Sequence, residues 1–158
     1  MTFDEDWHRL LSSRQWLIGR GYALAETRGP EGMESGLDRY DGRHLSIRIV
    51  ADRGQWFVGI QSTRTDAGWQ SLESWSACLG EPALFHVSRS SESDEAWATA
   101  MADSWHLSPQ LDYLREHLDA IEAACHPHRV DISLDCLSAA NRVAQLSGFI
   151  RLPPVDGE

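Results

Sequence analysis

The stretch 37–62 constrains the fold of this chain more than any other, because its apolar residues recur at every second position. Leu45, Ile47 and Ile49 would share one face of an extended strand, since successive side chains of a β-strand point to opposite faces. The same alternation returns at 55–62. This pattern predicts an antiparallel sheet with one face against helices and the other at least partly wet.

Turn signals divide this stretch into neighbouring strands. The dipeptide Asp41-Gly42 is typical of a type I′ hairpin turn, whose two central residues take positive φ values. The tripeptide at 52–54 predicts a second turn. The glycine-rich segment 29–36 is expected to form a loop. Together these signals predict an antiparallel β-meander of about four strands, at 22–28, 37–40, 43–51 and 55–62.

Helical spacing of apolar residues flanks the predicted sheet on both sides. Thr2 and Glu5 fit a capping box for an opening helix, which glycines end at Gly19 and Gly21. After the sheet, helix starts are expected at Ser71, Ser93, Ser108 and Ser133, the last helix reaching Ser147. The sequence therefore predicts an α+β fold, in which the meander packs against N-terminal and C-terminal helices.

One domain spanning 1–158 is expected from the chain length of 158 residues. It comprises the opening helix, the meander to about residue 62, a helical second half at 71–147, and a frayed tail at 151–158. The most regular helix is predicted to start at Ser108-Pro109 and to end near Cys125. Its apolar seam consists of Leu111, Leu114, Leu118, Ile121 and Cys125.

The net charge of −10 is concentrated in one segment of the chain. Residues 92–135 hold ten acidic side chains against Arg115 and Arg129. Such a surface repels a phosphate backbone, which proteins bind chiefly through basic side chains, so no nucleic-acid partner is expected. The same surface attracts a protein partner with a basic surface.

A row of carboxylates beside the apolar seam is the candidate binding site, and we call it the acidic ridge. It consists of Asp112, Glu116, Asp119 and Glu122, which follow one another at helical spacing. The predicted partner-binding set is completed by Asp94, Glu95, Asp103 and Trp69. The alternative is that the row is a solvated helix face that keeps the protein soluble.

Catalytic signatures are missing from the sequence. It contains no GxSxG, HExxH, GxxxxGK[ST] or GxGxxG. A non-enzymatic protein without a cofactor is therefore predicted. The alternatives are a small regulatory protein-binding module and an unrecognised enzyme, and the latter would bring histidines and carboxylates together in a pocket.

Cysteine and histidine side chains near residue 125 invite a metal interpretation. Cys125, His126 and His128 supply thiolate and imidazole groups, but a structural zinc site has four ligands, commonly in two paired spacings. Cys136 and His86 would have to lie beside them to complete such a set. No metal site is predicted.

The compartment is predicted from cysteine usage and hydropathy. Three cysteines form an odd set without CxxC spacing, which favours reduced buried thiols: Cys78, Cys125 and Cys136. No apolar stretch approaches the roughly 20 residues that cross a bilayer, and the N-terminus is acidic where a signal peptide is basic. A cytoplasmic protein is expected.

The chain as a whole resembles the immunity proteins that bacteria encode beside polymorphic or contact-dependent toxins. The features that carry the resemblance are the opening amphipathic helix, the sequence LSIRIVADRGQWFVGI at 45–60, and the acidic helical second half. The most motif-like stretch is DRGQWF at 52–57. The resemblance implies a non-enzymatic inhibitor that binds a cognate toxin domain inside the producing cell and blocks its active site or its fold.

Overall fold

The computed structural model describes residues 3–31, 35–63, 68–79 and 106–147. This part of the chain contains four helices and five strands. In chain order they are α1 (Phe3–Gly19), β1 (Ala23–Glu31), β2 (Ser35–Asp41), β3 (Leu45–Asp52), β4 (Gln55–Ser62), β5 (Gln70–Ser71), α2 (Leu72–Leu79), α3 (Leu107–Ala124) and α4 (Val130–Ser147). The sheet is antiparallel with the order β1-β2-β3-β4-β5. The predicted α+β fold, with a meander packed against N-terminal and C-terminal helices, is confirmed.

Alternation in β3 builds the sheet side of the core. Leu45, Ile47 and Ile49 are buried, whereas the residues between them are partly exposed. In the register of β3 with β4, Ile47 lies opposite Ile60, and Ile49 lies opposite Val58. Burying an aliphatic side chain of this size contributes about 1.5–3 kcal/mol. The period of two in the sequence therefore identifies the core face correctly.

The type I′ turn occurs at the second hairpin and not at the first. Arg53 and Gly54 have φ values of 52° and 80°, and they connect β3 directly to β4. The prediction for Asp41-Gly42 is wrong, because three residues separate β2 from β3 and the Gly42 N–H donates to the Leu45 carbonyl at 2.9 Å. Gly42 is required for space instead, since a Cβ there would lie 2.5 Å from the Tyr22 ring.

We expect Gly42→Ala to lower the free energy of unfolding by roughly 1–3 kcal/mol, the usual cost of forcing an extra methyl group into a packed site. The added Cβ would meet Tyr22 at 2.5 Å and the Leu45 carbonyl oxygen at 3.0 Å. Urea unfolding followed by tryptophan fluorescence measures the change. Gly29→Ala is the matched control, because nothing lies within 4 Å of its Cβ position. Equal unfolding midpoints for the two variants would contradict this account of Gly42.

The glycine-rich segment 29–36 is not wholly a loop, as the turn-forming residues had suggested. β1 continues to Glu31 and β2 begins at Ser35, and these two residues face each other in the ladder. Pairing with β3 extends β2, since Gly36 lies opposite Ala51. Tertiary pairing thus overrides the local preference of glycine for turns.

Helix starts agree with the predictions only in part. Ser71 caps α2, because its Oγ accepts the Ser74 N–H at 3.2 Å. The predicted cap at Ser108 is wrong: α3 begins at Leu107 and His106 occupies the N-cap position. The starts expected at Thr2 and Ser93 and the frayed tail at 151–158 lie outside the described residues.

The start of the last helix also differs from the prediction. α4 begins at Val130, so Ser133 lies inside it and does not cap it. The Ser133 hydroxyl donates to the Ala124 carbonyl at 2.9 Å and lies 3.1 Å from the Arg129 carbonyl. A serine hydroxyl that bonds to the preceding turn is compatible with a helix interior, which explains the misplaced boundary.

The seam of α3 packs against the sheet as predicted. Its five members are each 0–1% exposed: Leu111, Leu114, Leu118, Ile121 and Cys125. Gln110 fixes the helix to β4, since its amide donates to the Trp56 carbonyl at 2.8 Å and its oxygen accepts the Val58 N–H at 3.0 Å. The Gln110 side chain thus forms hydrogen bonds with backbone groups of β4 that lie beyond the two-residue strand β5.

A disulfide bond joins α2 to α4, which corrects the prediction of three reduced thiols. Cys78 and Cys136 are bonded across a Cα–Cα distance of 5.8 Å. Cys125 keeps a free, buried thiol. An odd number of cysteines is compatible with one bond and one thiol, and 58 residues separate the bonded pair in the sequence. Two cysteines that come together only in the folded chain have no characteristic spacing in the sequence.

Candidate partner-binding surface

The acidic ridge lies on the outer side of α3, next to α1. The side chains of Asp112, Glu116 and Asp119 are 68%, 76% and 84% exposed. The Glu122 side chain is 36% exposed. These residues share a surface because the opposite side of α3 carries the buried seam. The helical spacing seen in the sequence therefore places all four carboxylates on one accessible face.

Arg9 of the first helix and Arg20, which directly follows that helix, pair with the ridge. Arg9 Nη2 lies 2.6 Å from Asp112 Oδ1. Arg20 makes a short ion pair with Asp119 and a longer contact of 3.6 Å with Glu122. The pairs advance along both helices together, so α1 and α3 run in the same direction. The first helix thus neutralises part of the ridge.

Glu122 also accepts a hydrogen bond from the strand side. The Tyr22 hydroxyl donates to Glu122 Oε1 at 2.6 Å. Burial raises the pKa of Tyr22 above its ordinary value, and the hydrogen bond to the Glu122 carboxylate raises this pKa further. The phenol therefore stays protonated and keeps donating at neutral pH. Glu122 ties the start of β1 to the end of α3 as well as belonging to the ridge.

Two guanidinium groups contact the Trp16 ring at the edge of the ridge. The Arg115 Cζ is 4.9 Å from the centre of the Trp16 ring, and the Arg20 Cζ is 5.7 Å from it. Both distances are typical of cation–π contacts. The four ridge carboxylates therefore share their surface with three guanidinium groups, which leaves a net charge of about −1 there. This face is a mixed charged and aromatic surface.

Trp69 lies apart from the ridge. Its ring sits 4.8 Å from the Arg48 guanidinium and packs over Gly59. Arg48 and Gly59 face each other in the sheet and alternate with core residues such as Val58, so Trp69 covers the sheet face opposite the seam of α3. The structure does not bring Trp69 and the ridge together. Asp94, Glu95 and Asp103 lie outside the described residues.

Cysteine and histidine side chains around residue 125 do not form the set that a zinc site would need. Cys136 is bonded to Cys78, and His86 lies outside the described residues. Burial raises the pKa of the Cys125 thiol to about 12, with a smaller contribution from Glu122, so this thiol is protonated at neutral pH. Within the described ranges, no group of three or more histidine, cysteine, aspartate and glutamate residues could hold a metal ion.

Further features of the α1 side were not singled out from the sequence. Leu11 and Ile18 are 40% and 50% exposed and lie two turns apart on the side of α1 that faces away from Arg9 and Trp16, because a step of two residues rotates a helix by about 200°. An open, shallow depression of about 670 Å³ lies at the start of α1 and α3, and Arg9 and Ser108 are among its lining residues. Arg9 lines the depression and also pairs with Asp112 of the ridge, which makes the two features one continuous surface. The sequence signal that could have indicated this surface was the presence of arginines in and just after α1, together with the acidic residues of α3.

Comparisons with protein-family models, with curated proteins and with solved structures return no match for this chain. Within the described residues, no helix is long and apolar enough to cross a membrane. The geometry itself provides one extended surface formed by the outer sides of α1 and α3. We call it the α1–α3 face; its members are Arg9, Trp16, Arg20, Arg115 and the acidic ridge.

Proposed function

We propose that this chain is a non-enzymatic immunity protein that binds and neutralises a cognate toxin domain in the bacterial cytoplasm, and that it does so through the α1–α3 face. The observation that carries the proposal is the combination of Trp16, whose ring two guanidinium groups contact, with the exposed carboxylates of α3. Tryptophan and arginine are the residues most enriched at binding hot spots.

The ion pairs within this face can be replaced by ion pairs with a partner protein. Exposed ion pairs contribute only about 0–1 kcal/mol each, because water and salt screen them. Basic side chains of a partner therefore replace Arg9 and Arg20 on the carboxylates at little cost. The Trp16 ring lies beside these ion pairs on the same face. Binding then gains from burying this aromatic ring, while charge complementarity selects the partner.

A toxin domain with a basic cleft fits this chemistry. Domains that act on nucleic acids or nucleotides bind phosphates through basic side chains. The carboxylates of Asp112, Glu116 and Asp119 follow one another along one helix and act as phosphate mimics in such a cleft. Opposite charge also accelerates encounter between the two proteins.

Co-expression tests the proposal as a whole. The chain is produced together with the C-terminal domain of the secreted protein encoded immediately upstream, and bacterial survival and recovery of a complex are scored. Rescue of growth with a stable complex supports an immunity protein. A complex without rescue favours a regulatory binding module, and neither result counts unless the toxin domain alone kills the cells.

Glu116→Lys is expected to weaken the complex about tenfold or more, because it places a positive charge opposite a basic partner. Glu116 is the sharpest choice on the ridge: its side chain is 76% exposed and its carboxylate lies 3.8 Å from the adjacent His117, so no arginine pair of α1 is broken. Titration calorimetry with the purified toxin domain gives the affinity.

Asp135→Lys is the matched control for that charge reversal. Asp135 is exposed on α4, and α4 contacts α2, away from the α1–α3 face. We expect its affinity to stay within about twofold of the unsubstituted chain, since remote exposed charges are largely screened. If Glu116→Lys and Asp135→Lys bind alike, the ridge is not the contact surface.

A further inference from the structure

Three histidines from two separate turns meet at one end of the sheet. His44 lies in the turn between β2 and β3, and His126 and His128 lie in the turn between α3 and α4. The ring centres of His44 and His126 are 5.2 Å apart, and those of His126 and His128 are 4.9 Å apart. His126 therefore contacts both of the other imidazoles.

Backbone hydrogen bonds hold both turns in place. The Thr63 N–H donates to the His44 carbonyl at 3.1 Å. The Arg129 and Val130 N–H groups donate to the His126 carbonyl at 2.8 and 3.0 Å. The rings thus project from anchored backbone, and their proximity follows from the fold. A site assembled in this way requires little ordering when a ligand arrives.

The cluster becomes strongly positive when it is protonated. Desolvation lowers the pKa of His126 from its ordinary value, and the neighbouring charges of His128, His44 and Arg43 lower it further. Each of these three neighbours is cationic or becomes cationic in acid. Protonation of the cluster therefore places up to four positive charges together in a chain whose net charge is −10.

The arrangement of nitrogens favours an anion over a metal ion. His126 Nδ1 accepts the backbone N–H of His128 at 3.3 Å, so the neutral ring carries its hydrogen on Nε2. Within the described residues, these histidines do not belong to any group that could hold a metal ion. Protonated imidazoles and a guanidinium group are N–H donors, and charge-assisted bonds from such donors are the strong ones for oxyanions.

We propose that Arg43, His44, His126 and His128 form a proton-gated site for a tetrahedral oxyanion, either sulfate or a phosphate group. A doubly charged oxyanion relieves the repulsion among the imidazolium groups, so it binds the protonated cluster in preference to the neutral one. By thermodynamic linkage, the same anion must make protonation of the cluster easier. This site begins beyond Glu122, at the end of the α1–α3 face, and the proposal does not depend on the function of that face.

Histidine-selective NMR on the full chain tests the proposal. The Hε1–Cε1 signals are followed from pH 5 to 8 in sodium sulfate and in sodium chloride of equal ionic strength, with a chelator present. Sulfate keeps its double charge over this range, so the pH dependence reports the protein. We expect sulfate to raise the pKa of His126 relative to chloride, and sulfate binding to be about tenfold weaker at pH 7.5 than at pH 5.5.

His8 is the internal control, because it lies on α1 and its Nδ1 contacts the Asp4 carbonyl within the same helix. Its titration should be the same in both salts. The variant Arg43→Gln should weaken sulfate binding, and His44→Gln should do so as well, while both keep the amide spectrum of the folded chain. Identical titration of His126 in the two salts, or an equal sulfate effect on His8, would overturn the proposal.

Two sources of the anion are separated by further titrations at pH 5.5. Inorganic phosphate represents a free ion, and glycerol 2-phosphate represents a phosphate monoester on a larger molecule. The two affinities are compared per dianion, because a phosphate monoester with a second pKa of about 6 is more fully charged at this pH than inorganic phosphate. On that basis, tighter binding of the monoester assigns the site to esters, and tighter binding of inorganic phosphate assigns it to the free ion. If neither phosphate compound binds and sulfate does not bind either, the proposed oxyanion site does not exist.

Discussion

Asp38→Ala is expected to lower the free energy of unfolding by about 3–5 kcal/mol, the cost of breaking a buried ionic network by removing one partner. Asp38 is 0% exposed and accepts four hydrogen bonds. Arg14 contributes two of them through Nε and Nη2, at 3.1 and 2.9 Å. The hydroxyl groups of Thr27 and Tyr40 each donate at 2.6 Å.

The size of this effect follows from what the substitution would leave behind. Burial raises the pKa of Tyr40 above its ordinary value, and the hydrogen bond to Asp38 raises it further. The hydrogen bond to Asp38 also raises the pKa of Arg14. Without the carboxylate, the buried Tyr40 phenol would lose its acceptor, and the partly exposed Arg14 guanidinium would lose its ion-pair partner. Uncompensated buried polar and charged groups are among the most costly defects in a folded protein.

Urea unfolding of Asp38→Ala against Asp135→Ala measures the effect. Asp135 is exposed, so its replacement should change the free energy of unfolding by no more than about 0.5 kcal/mol. Thr27→Val removes one donor and keeps the side-chain shape, and we expect a loss of about 1 kcal/mol. A value for Asp38→Ala within 1 kcal/mol of the unsubstituted chain would mean that the network contributes little.

The sheet was predictable because its information is local. An alternating pattern with a period of two identifies both the strand and its buried face, and the predicted strand at 55–62 has the bounds of β4. The turn geometry was assigned to the wrong hairpin for a reason that is not local. Gly42 is required by the Tyr22 ring, about 20 residues earlier in the chain, and not by a positive φ value.

Helix boundaries were also predictable where local contacts set them, and they were not predictable where contacts distant in sequence set them. Ser71 could be recognised as a cap because the hydrogen bond it makes lies within its own turn. The helix starts predicted at Ser108 and Ser133 were wrong because other contacts determine where those two helices begin. Gln110 donates to the His106 carbonyl at 3.0 Å while bridging to β4, a contact across more than fifty residues.

The candidate site was predictable in position but not in charge. Helical spacing places the ridge on one exposed face of α3, which the structure shows. Its neutralisation by Arg9 and Arg20 depends on partners 103 and 99 residues away along the chain. No spacing rule reports contacts at that separation, so a net charge counted along the sequence overstates the charge of the assembled surface. Its role in partner binding stays a prediction.

Reduction of the Cys78–Cys136 bond is expected to lower the free energy of unfolding by about 4 kcal/mol, the value that the chain-entropy relation gives for a loop of this length. The bond closes 58 residues of sequence and links α2 to α4. Its removal leaves α4 held by non-covalent contacts alone, and the unfolded chain regains the freedom that the loop had restricted.

Thiol counting establishes the redox state before the stability comparison. In denaturant, the oxidised chain should react with iodoacetamide at Cys125 alone, and the reduced chain at all three cysteines. Urea unfolding with and without dithiothreitol then gives the stability difference, and the double variant Cys78→Ser/Cys136→Ser should be insensitive to the reductant. Midpoints unchanged by reduction would show that packing of α2 on α4 suffices.

The result also bears on where the protein is able to act. Reducing compartments keep most thiols reduced, so a chain that works in the cytoplasm has to fold with Cys78 and Cys136 unbonded. If the reduced chain stays folded and still binds its partner, the bond adds stability to a function that does not require it. If reduction unfolds the chain, the proposed cytoplasmic immunity role fails on stability alone, whatever the chemistry of the α1–α3 face.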